Sequence, residues 1–247
     1  MAAKSNSSKK HVYDESKIKT LSSLEHIRLR TGMYIGRIGD GTNYDDGGYI
    51  LLKEVIDNAI DEFIMGHGKE IIIEIHDHTV TVRDYGRGIP LGKVIDCVSR
   101  INTGAKYNSD VFQFSVGLNG VGTKAVNALS QKFTVKSHRK GEFVSATFSQ
   151  GKLKKQDEGS CADEPDGTLI TFEPDVEIFK KLTFRDELVS KRLRHYSYLN
   201  TGLKLICNGK SFKSRNGLLD LVMEVLKGES ADPIYPPLRF ATKTLEF

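Results

Sequence analysis

The stretch KEVIDNAIDEF, residues 53–63, has the periodicity of a helix that packs against a protein core. Its apolar residues recur at i, i+3 and i+4 intervals, at Val55, Ile56, Ala59, Ile60 and Phe63. The intervening positions carry four carboxylates and one amide, at Glu54, Asp57, Asn58, Asp61 and Glu62. Like charges at such intervals repel by about 0.2–0.5 kcal/mol per pair. Two explanations are open: a solvated acidic surface, or a site for a metal ion or an activated water.

The composition is that of a globular protein. The 247 residues include 38% hydrophobic and 28% charged residues, which is enough for a buried core in one or two domains. The net charge of +4 is compatible with nucleic-acid contact but does not indicate it. Cys97, Cys161 and Cys207 lack the spacing of a zinc site or a disulfide framework, so we expect a reduced, cytoplasmic chain. No apolar run approaches the roughly 20 residues of a membrane span, and no membrane partner is expected.

The order of predicted elements indicates an α+β fold. Six helices are predicted. The first ends before Gly32, the second runs from about Gly48 to Met65, and the third covers residues 91–101. The fourth follows the glycines of residues 117–122, the fifth starts at Thr183, and the sixth covers residues 217–226. Hairpins or antiparallel strands are predicted over residues 69–84, 133–172 and 202–212. Residues 102–115 are predicted to form a long polar loop, and loops of that length are often functional lids.

A second stretch with chemical potential is VRDYGRGIP, residues 82–90. Asp84 ends a predicted strand, and the glycines at 86 and 88 allow the backbone to turn and a ligand to approach closely. A carboxylate held there can accept a hydrogen bond from an exocyclic amine such as that of adenine. A plain Asp-x-Gly turn is the alternative.

A third stretch, VGLNGVGTKAVNALS, places Gly117, Gly120 and Gly122 just before a predicted helix. Free N–H groups and the positive end of a helix dipole bind anions, so the segment predicts a phosphate site or a tight structural turn. In DGTLITF, residues 166–172, Thr168 begins a strand and by itself predicts nothing further.

Taken in this order, these stretches resemble the motifs of the GHKL ATPases. With YDESKIKTL, RTGMYIG and KRLRHYSYLN, they resemble more closely the N-terminal ATPase domain of bacterial type IIA topoisomerases, the B subunits of DNA gyrase and topoisomerase IV. The resemblance extends from Tyr13 to Pro237. It does not distinguish gyrase from topoisomerase IV.

The resemblance implies a GHKL (Bergerat-type) two-layer sandwich of the α+β class, with a mixed, mostly antiparallel sheet and helices on one face. It implies an ATPase domain with an N-terminal dimerisation arm over residues 13–232. The polar, Ser/Lys-rich start MAAKSNSSKK predicts a disordered tail over residues 1–12. Residues 233–247 would be a linker into a transducer domain that this chain lacks. Because the family's transducer supplies a lysine to the γ-phosphate, we expect this chain to bind ATP but to turn it over poorly.

The resemblance also explains the carboxylates of residues 53–63. Glu54 matches the general base that deprotonates the water attacking the γ-phosphate, and Asn58 matches the ligand of Mg²⁺. Their i, i+4 spacing puts both side chains on one side of a helix. Mg²⁺ keeps several waters, so one amide oxygen and the phosphates suffice to hold it.

Further site residues follow from the same resemblance. Asp84 matches the adenine-binding aspartate, with Thr168 joined to it through water, and Arg87 matches an arginine that pairs with Glu62 and flanks the adenine. The wall of the base pocket matches Gly86, Gly88, Ile89 and Pro90. The phosphate-wrapping segment matches Gly117, Leu118, Asn119, Gly120, Val121, Gly122 and Thr123. Lys106 lies in the matching lid, and Tyr13 matches a tyrosine that reaches into the ATP site of the second protomer.

The implied function is ATP binding and hydrolysis that closes a homodimer and powers DNA strand passage with a topoisomerase A subunit. The implied cofactors are ATP and Mg²⁺. One alternative is another GHKL ATPase of the mismatch-repair or chaperone type. A second alternative is a non-catalytic DNA-binding module. The basic segment KRLRH supports it, although a solvated helix face explains that segment as well. The sequence departs from the usual pattern at Thr31, Tyr85, Asn119 and Ser145.

Overall fold

The structure is a computed structural model that describes residues 14–104 and 120–238. Helices α1 to α7 span Ser23–Leu29, Gly32–Ile35, Gly47–Ile64, Val94–Ser99, Gly122–Ala128, Asp186–Leu199 and Leu218–Gly228. Strands β1 to β8 span Glu70–His76, Thr79–Asp84, Ser130–Arg139, Glu142–Ser149, Lys152–Ser160, Gly167–Pro174, Lys204–Cys207 and Lys210–Phe212. The predicted N-terminal tail, most of the predicted lid, and residues 239–247 lie outside this description.

Within these ranges the strands form one mixed sheet in the order β5-β4-β3-β6-β2-β1-β7-β8. Every neighbouring pair is antiparallel except β1 and β7, which run parallel. The predicted α+β class and the mixed, mostly antiparallel sheet are confirmed. The order places the end of β2, which carries Asp84, beside the start of β6, which carries Thr168.

One face of the sheet carries the core, and α3, α4 and α5 pack on it. Strand alternation directs Val82, Val135 and Phe172 toward this face, where they are almost completely buried. The opposite face is polar, with hydroxyl pairs across neighbouring strands such as Thr81 with Thr171 at 3.2 Å. The helices therefore cover one side of the sheet, and any site on α3 lies between the helices and the sheet.

Two local elements differ from the predictions. The sequence predicts irregular chain after Gly32, but residues 32–35 form the single turn α2. The helix predicted to start at Thr183 begins at Asp186, because the backbone of Arg185 is extended, with φ of −95° and ψ of 123°. The N–H of Arg185 donates to the Tyr49 hydroxyl, and this bond holds the segment before the helix. No helix in the described ranges is long and apolar enough to cross a membrane.

Candidate functional site

A cavity of about 810 Å³ lies between α3, the adjoining ends of β2 and β6, and the N-terminus of α5. Its volume is in the usual range for a small-molecule site. The predicted site residues that line it are Glu54, Asn58, Glu62, Asp84, Arg87, Gly88, Ile89, Pro90, Gly120, Val121, Gly122, Thr123 and Thr168. The other predicted residues, apart from Gly86, lie outside the described residues: Tyr13, Lys106, Gly117, Leu118 and Asn119.

The polar positions of α3 do not form a solvated acidic surface. Glu54, Asn58 and Glu62 line the cavity on successive helical turns. Asp57, which also lines the cavity, and Asp61 are buried, with 2% and 0% of their surface exposed. The explanation as a solvated face is therefore wrong, because α3 is enclosed by the sheet on one side and by α5 and α6 on others.

The buried carboxylate of Asp57 accepts hydrogen bonds from two side chains. Lys53, one turn earlier on α3, donates from Nζ to Asp57 Oδ2 at 2.5 Å. The hydroxyl of Tyr196, on α6, donates to Asp57 Oδ1. Burial, followed by the charge of Asp57, raises the pKa of the Tyr196 hydroxyl, so it stays a donor at physiological pH. Such partners offset the cost of taking a carboxylate out of water.

The carboxylate of Glu54 lies between α3 and the start of α5. Its Oε1 is 4.0 Å from Lys53 Nζ. Its Oε2 faces Gly122, the first residue of α5, so closely that a Cβ added there would lie 1.8 Å from it. Glycine at 122 is therefore required for this approach. The side chain of Glu54 keeps 28% of its surface exposed, so water can reach it from the cavity.

Asn58 is oriented by hydrogen bonds from its amide nitrogen. Nδ2 donates to Glu54 O at 2.6 Å and to the Thr123 hydroxyl at 2.9 Å. These bonds join α3 to the first turn of α5. Because the nitrogen is the donor in both, the atom of Asn58 that can coordinate a hard cation is the amide oxygen Oδ1.

Asp84 is the buried carboxylate at the opposite end of the cavity from the α5 N-terminus. Its Oδ1 accepts hydrogen bonds from the backbone N–H groups of Gly86 at 2.9 Å and Thr168 at 3.2 Å. Thr168 thus contacts Asp84 directly through its main-chain N–H, and the predicted link through water stays a prediction. Burial raises the pKa of Asp84 to about 6, although both hydrogen bonds lower it. Such a carboxylate is a strong acceptor for a ligand donor.

Glu62 and Arg87 form the predicted ion pair beside Asp84. The main-chain N–H and Nε of Arg87 donate to Glu62 Oε2 at 2.9 and 3.0 Å, and Nη2 donates to Oε1 at 3.0 Å. Gly86 is absent from the cavity lining, but a Cβ there would lie 2.6 Å from the Glu62 side chain. The role of Gly86 in the structure is thus to admit Glu62 next to Asp84.

The wall after Arg87 is fixed by hydrogen bonds that side chains of β3 donate to its carbonyl oxygens. Gly88 has φ of +70° and approaches His138 O so closely that a side chain would not fit. The Ser137 hydroxyl donates to Ile89 O at 2.7 Å, and Arg139 Nη1 donates to Gly88 O at 3.1 Å. Gly88, Ile89 and Pro90 therefore form a rigid edge of the cavity.

Three cations at the cavity were missed at the sequence level: Lys53, Lys124 and Arg139. Lys124, on α5, is 4% exposed and donates to Thr103 O at 2.8 Å. Its position two residues after Gly122 was a usable signal, because a cation at the start of an anion-binding helix fits a phosphate. Nothing in the sequence points to Arg139, which reaches the cavity from β3.

The basic segment on α6 is a solvated face at Lys191, Arg194 and His195, and that interpretation is wrong only for Arg192. Its guanidinium is 4.1 Å from the centre of the Tyr44 ring and donates to Tyr44 O at 2.9 Å, and only 7% of the residue is exposed. Arg194 is exposed and pairs with Glu224 on α7 at 2.6 Å. Lys191 and His195 are exposed. The segment therefore combines one core cation with a mixed surface.

The residues Tyr85, Thr31 and Ser145, which depart from the usual sequence of the family, make only local contacts. The ring of Tyr85 lies 4.8 Å from the Arg83 guanidinium. The hydroxyl of Thr31 donates to Arg28 O at 2.9 Å. Ser145 pairs with Lys136 across β3 and β4 and is not among the residues that line the cavity.

The sequence and the structure are similar to those of known ATPases. The sequence profile described as "Histidine kinase-, DNA gyrase B-, and HSP90-like ATPase" matches residues 45–178. The chain is 59% identical to the B subunit of DNA topoisomerase 4 from Borreliella burgdorferi, over 95% of this chain and 39% of that protein. It is 37% identical to the B subunit of DNA gyrase from Clostridium acetobutylicum, over 81% of this chain and 32% of that protein.

The fold also matches that of a solved structure. The chain matches the crystal structure of the 43K ATPase domain of Thermus thermophilus gyrase B in complex with an aminocoumarin. The TM-score is 0.72 with 30% sequence identity, and the match covers 90% of this chain and 60% of that chain. The chain thus spans less than two fifths of the curated relatives named above.

Proposed function

The chain belongs to the family of histidine kinase-, DNA gyrase B- and HSP90-like ATPases, and on that ground we propose that it binds ATP with Mg²⁺ in the α3 cavity and hydrolyses it there. We propose that residues 13–232 are the ATPase domain of a type IIA topoisomerase B subunit, preceded by a tail over residues 1–12 and followed by a linker. The similarity to the B subunits of gyrase and topoisomerase IV supports this.

The observation that carries the proposal is the arrangement of Glu54, Asn58 and Asp84 around one cavity. The first two lie on α3 next to the N-terminus of α5, and the third lies at the end of β2. A nucleotide has the matching polarity, with a base that offers an amine donor at one end and a polyphosphate at the other. A carboxylate suits the amine, and a helix N-terminus suits the phosphates.

At the base end, Asp84 accepts the hydrogen bond of the exocyclic amine of adenine. Its orientation is set by the N–H groups of Gly86 and Thr168, so the acceptor is fixed before the ligand arrives. The rigid edge formed by Gly88, Ile89 and Pro90 covers the base, and Arg87 stays in place through Glu62. The site is thereby preorganised, which reduces the entropic cost of binding.

At the phosphate end, residues Gly120 to Thr123 offer backbone N–H groups at the start of α5. Asn58 Oδ1 is the protein ligand suited to Mg²⁺, which when bound offsets the negative charge of the phosphates. No cluster of three or more His, Cys, Asp or Glu side chains suited to a metal ion occurs in residues 14–104 and 120–238. A site built from one amide oxygen, phosphates and water fits that finding.

Glu54 acts as the general base. It accepts a proton from the water whose oxygen attacks the γ-phosphorus, while the bond to the β-phosphate oxygen breaks and ADP leaves. Its position against Gly122 puts the carboxylate at the start of the phosphate-binding helix. In the whole enzyme, the resemblance supports ATP-driven closure of a homodimer with Tyr13 in the second protomer's site, and DNA strand passage with an A subunit.

Calorimetric titration of the chain with a non-hydrolysable ATP analogue tests the proposal. We expect saturable binding that strengthens with Mg²⁺, and competition by ADP. Absence of binding heat with or without Mg²⁺ would contradict it. A DNA-binding module without ATPase activity would instead bind DNA at low salt and show no binding of the nucleotide. The structure gives this alternative little support, because Arg192 is buried and Arg194 forms an ion pair.

A further inference from the structure

The ammonium group of Lys53 lies between two carboxylates at the cavity. Its Nζ is 2.5 Å from Asp57 Oδ2 and 4.0 Å from Glu54 Oε1. The side chain is 35% exposed, whereas that of Asp57 is 2% exposed. A surface lysine usually samples many rotamers, because holding it in one geometry costs side-chain entropy. Here a buried carboxylate restrains it.

Asp57 is itself held from the neighbouring helix. Its second oxygen accepts the hydroxyl of Tyr196 on α6, a residue 139 positions away in the chain. Lys53, Asp57 and Tyr196 therefore form a continuous hydrogen-bonded line from α6 to the side of the cavity where Glu54 lies. Asp57 has a partner on either side, and Lys53 lies between Asp57 and Glu54, so this arrangement restricts the position of the ammonium group.

The two oxygens of Glu54 have different neighbours. Oε1 is next to the Lys53 ammonium group, and Oε2 faces Gly122 at the start of α5. The side chain of Glu54 is thus bracketed by a cation on α3 and by the backbone of another helix. Removal of the cation would leave the Oε1 side without this electrostatic restraint.

Resting on the proposed function, we infer that Lys53 is a positioning residue, held by Asp57 and Tyr196, that fixes the orientation of the Glu54 carboxylate toward the attacking water. A general base must lie within hydrogen-bond distance of the proton it accepts, and a displacement of about 1 Å can cost about 100-fold in rate. Because Lys53 acts on Glu54, its loss should reduce turnover and leave nucleotide affinity almost unchanged.

The test uses the full-length protein that carries this chain, with ATP turnover measured by steady-state kinetics and binding of an ATP analogue measured by calorimetry. In Lys53→Met we expect kcat to fall at least about tenfold, with KM and the analogue Kd within about twofold of wild type. Lys53→Arg should retain most of the turnover, because a guanidinium also pairs with carboxylates. Lys204→Met is the matched control, because Lys204 is similarly exposed and pairs with Glu70 at 2.7 Å away from the cavity.

A fourth variant separates positioning from folding. Lys53→Met alone leaves Asp57 buried without its cation, which destabilises the fold by itself. Lys53→Met combined with Asp57→Asn removes both charges and keeps an acceptor for Tyr196. The double variant should fold and remain slow. Wild-type turnover in the double variant, or in Lys53→Met, would overturn the inference.

Two further results are distinguishable from these. A parallel loss of affinity and turnover in Lys53→Met, with Lys204→Met unaffected, would overturn the inference by showing that Lys53 contacts the nucleotide directly. Wild-type protein that neither binds the analogue nor hydrolyses ATP would overturn the proposed function, and the inference with it.

Discussion

Asp84 and Thr168 meet at one end of the cavity, where the backbone N–H of Thr168 donates to Asp84 Oδ1 at 3.2 Å. Asp84 is the last residue of β2, and Thr168 is the second residue of the neighbouring antiparallel strand β6. Together with the N–H of Gly86, this bond fixes the carboxylate through main-chain atoms alone. The carboxylate is buried before any ligand binds, and this has consequences for affinity, pH dependence and stability.

Replacing Asp84 by Asn should weaken nucleotide binding without harming the fold. The amide oxygen of Asn can still accept the N–H groups of Gly86 and Thr168, but the amide nitrogen then faces the amine of adenine. Loss of a charge-assisted hydrogen bond typically costs about 1.5–3 kcal/mol, which corresponds to about 10–100-fold in Kd. Calorimetry with an ATP analogue measures this. Wild-type affinity in Asp84→Asn would remove Asp84 from the binding site.

Nucleotide affinity of the wild-type chain should fall as the pH drops through about 6, because protonation of Asp84 removes the charged acceptor. The analogue Kd of Asp84→Asn should not follow this change, and the variant thereby corrects for protonation of the nucleotide's own phosphates. Equal pH dependence in both proteins would contradict the assignment.

The stability of the unliganded chain should depend on pH in the opposite direction and should fall as the pH rises. Because the pKa of Asp84 is raised by burial from 3.8 to about 6, its favourable contribution is present below pH 3.8 and is lost as the pH rises through 6. Asp84→Asn has no carboxyl group to ionise, so it does not lose stability in this way as the pH rises. Its thermal midpoint at pH 7.5 should therefore equal or exceed that of wild type, while nucleotide affinity is lower. A midpoint several degrees lower would show that the charge stabilises the fold.

The two arginines of α6 should differ sharply in their effect on stability. Arg192 is buried against Tyr44, so Arg192→Ala should lower the free energy of unfolding by roughly 2–4 kcal/mol. Arg194 pairs with Glu224 on the surface, and Arg194→Ala should cost less than about 1 kcal/mol. Urea denaturation of both variants measures the difference. Equal and small effects would contradict the assignment of Arg192 to the core.

The sequence predicted well where the signal is local. The helix predicted from about Gly48 to Met65 is α3, Gly47–Ile64, because its apolar positions are strongly periodic. The hairpin of β1 and β2 was predicted from its β-branched runs as well. The pairing of Glu62 with Arg87 was expected from the family resemblance instead. Family resemblance, rather than periodicity, supplied the expected layout of the cavity.

Features that depend on distant partners were not predictable. Asp57 and Arg192 look like surface charges in the sequence, but Asp57 is buried by Tyr196 and Arg192 by Tyr44, and 139 and 148 positions separate these pairs. The environment of Lys53 follows from the burial of Asp57 and was therefore missed too. Charge burial is decided by tertiary packing, which a linear pattern does not contain.

Asn58 should affect the metal-dependent part of binding. If Asn58 Oδ1 coordinates Mg²⁺, Asn58→Ala should bind the ATP analogue in EDTA nearly as wild type does. The increase in affinity that wild type gains from Mg²⁺ should shrink to less than about twofold. Titrations with and without Mg²⁺ measure it. A full Mg²⁺ response in Asn58→Ala would exclude Asn58 as the ligand.

Glu54 is proposed to activate the water that attacks ATP. General-base catalysis contributes about 10²–10⁴-fold to the rate, and Glu54→Gln preserves the size of the side chain while removing its basicity. The decisive measurement is the single-turnover rate of ATP hydrolysis by the full-length protein, alongside calorimetric affinity for the analogue. We expect Glu54→Gln to hydrolyse ATP at least about a hundredfold more slowly than wild type, with near-normal affinity for the analogue. Hydrolysis by Glu54→Gln at the wild-type rate would contradict it.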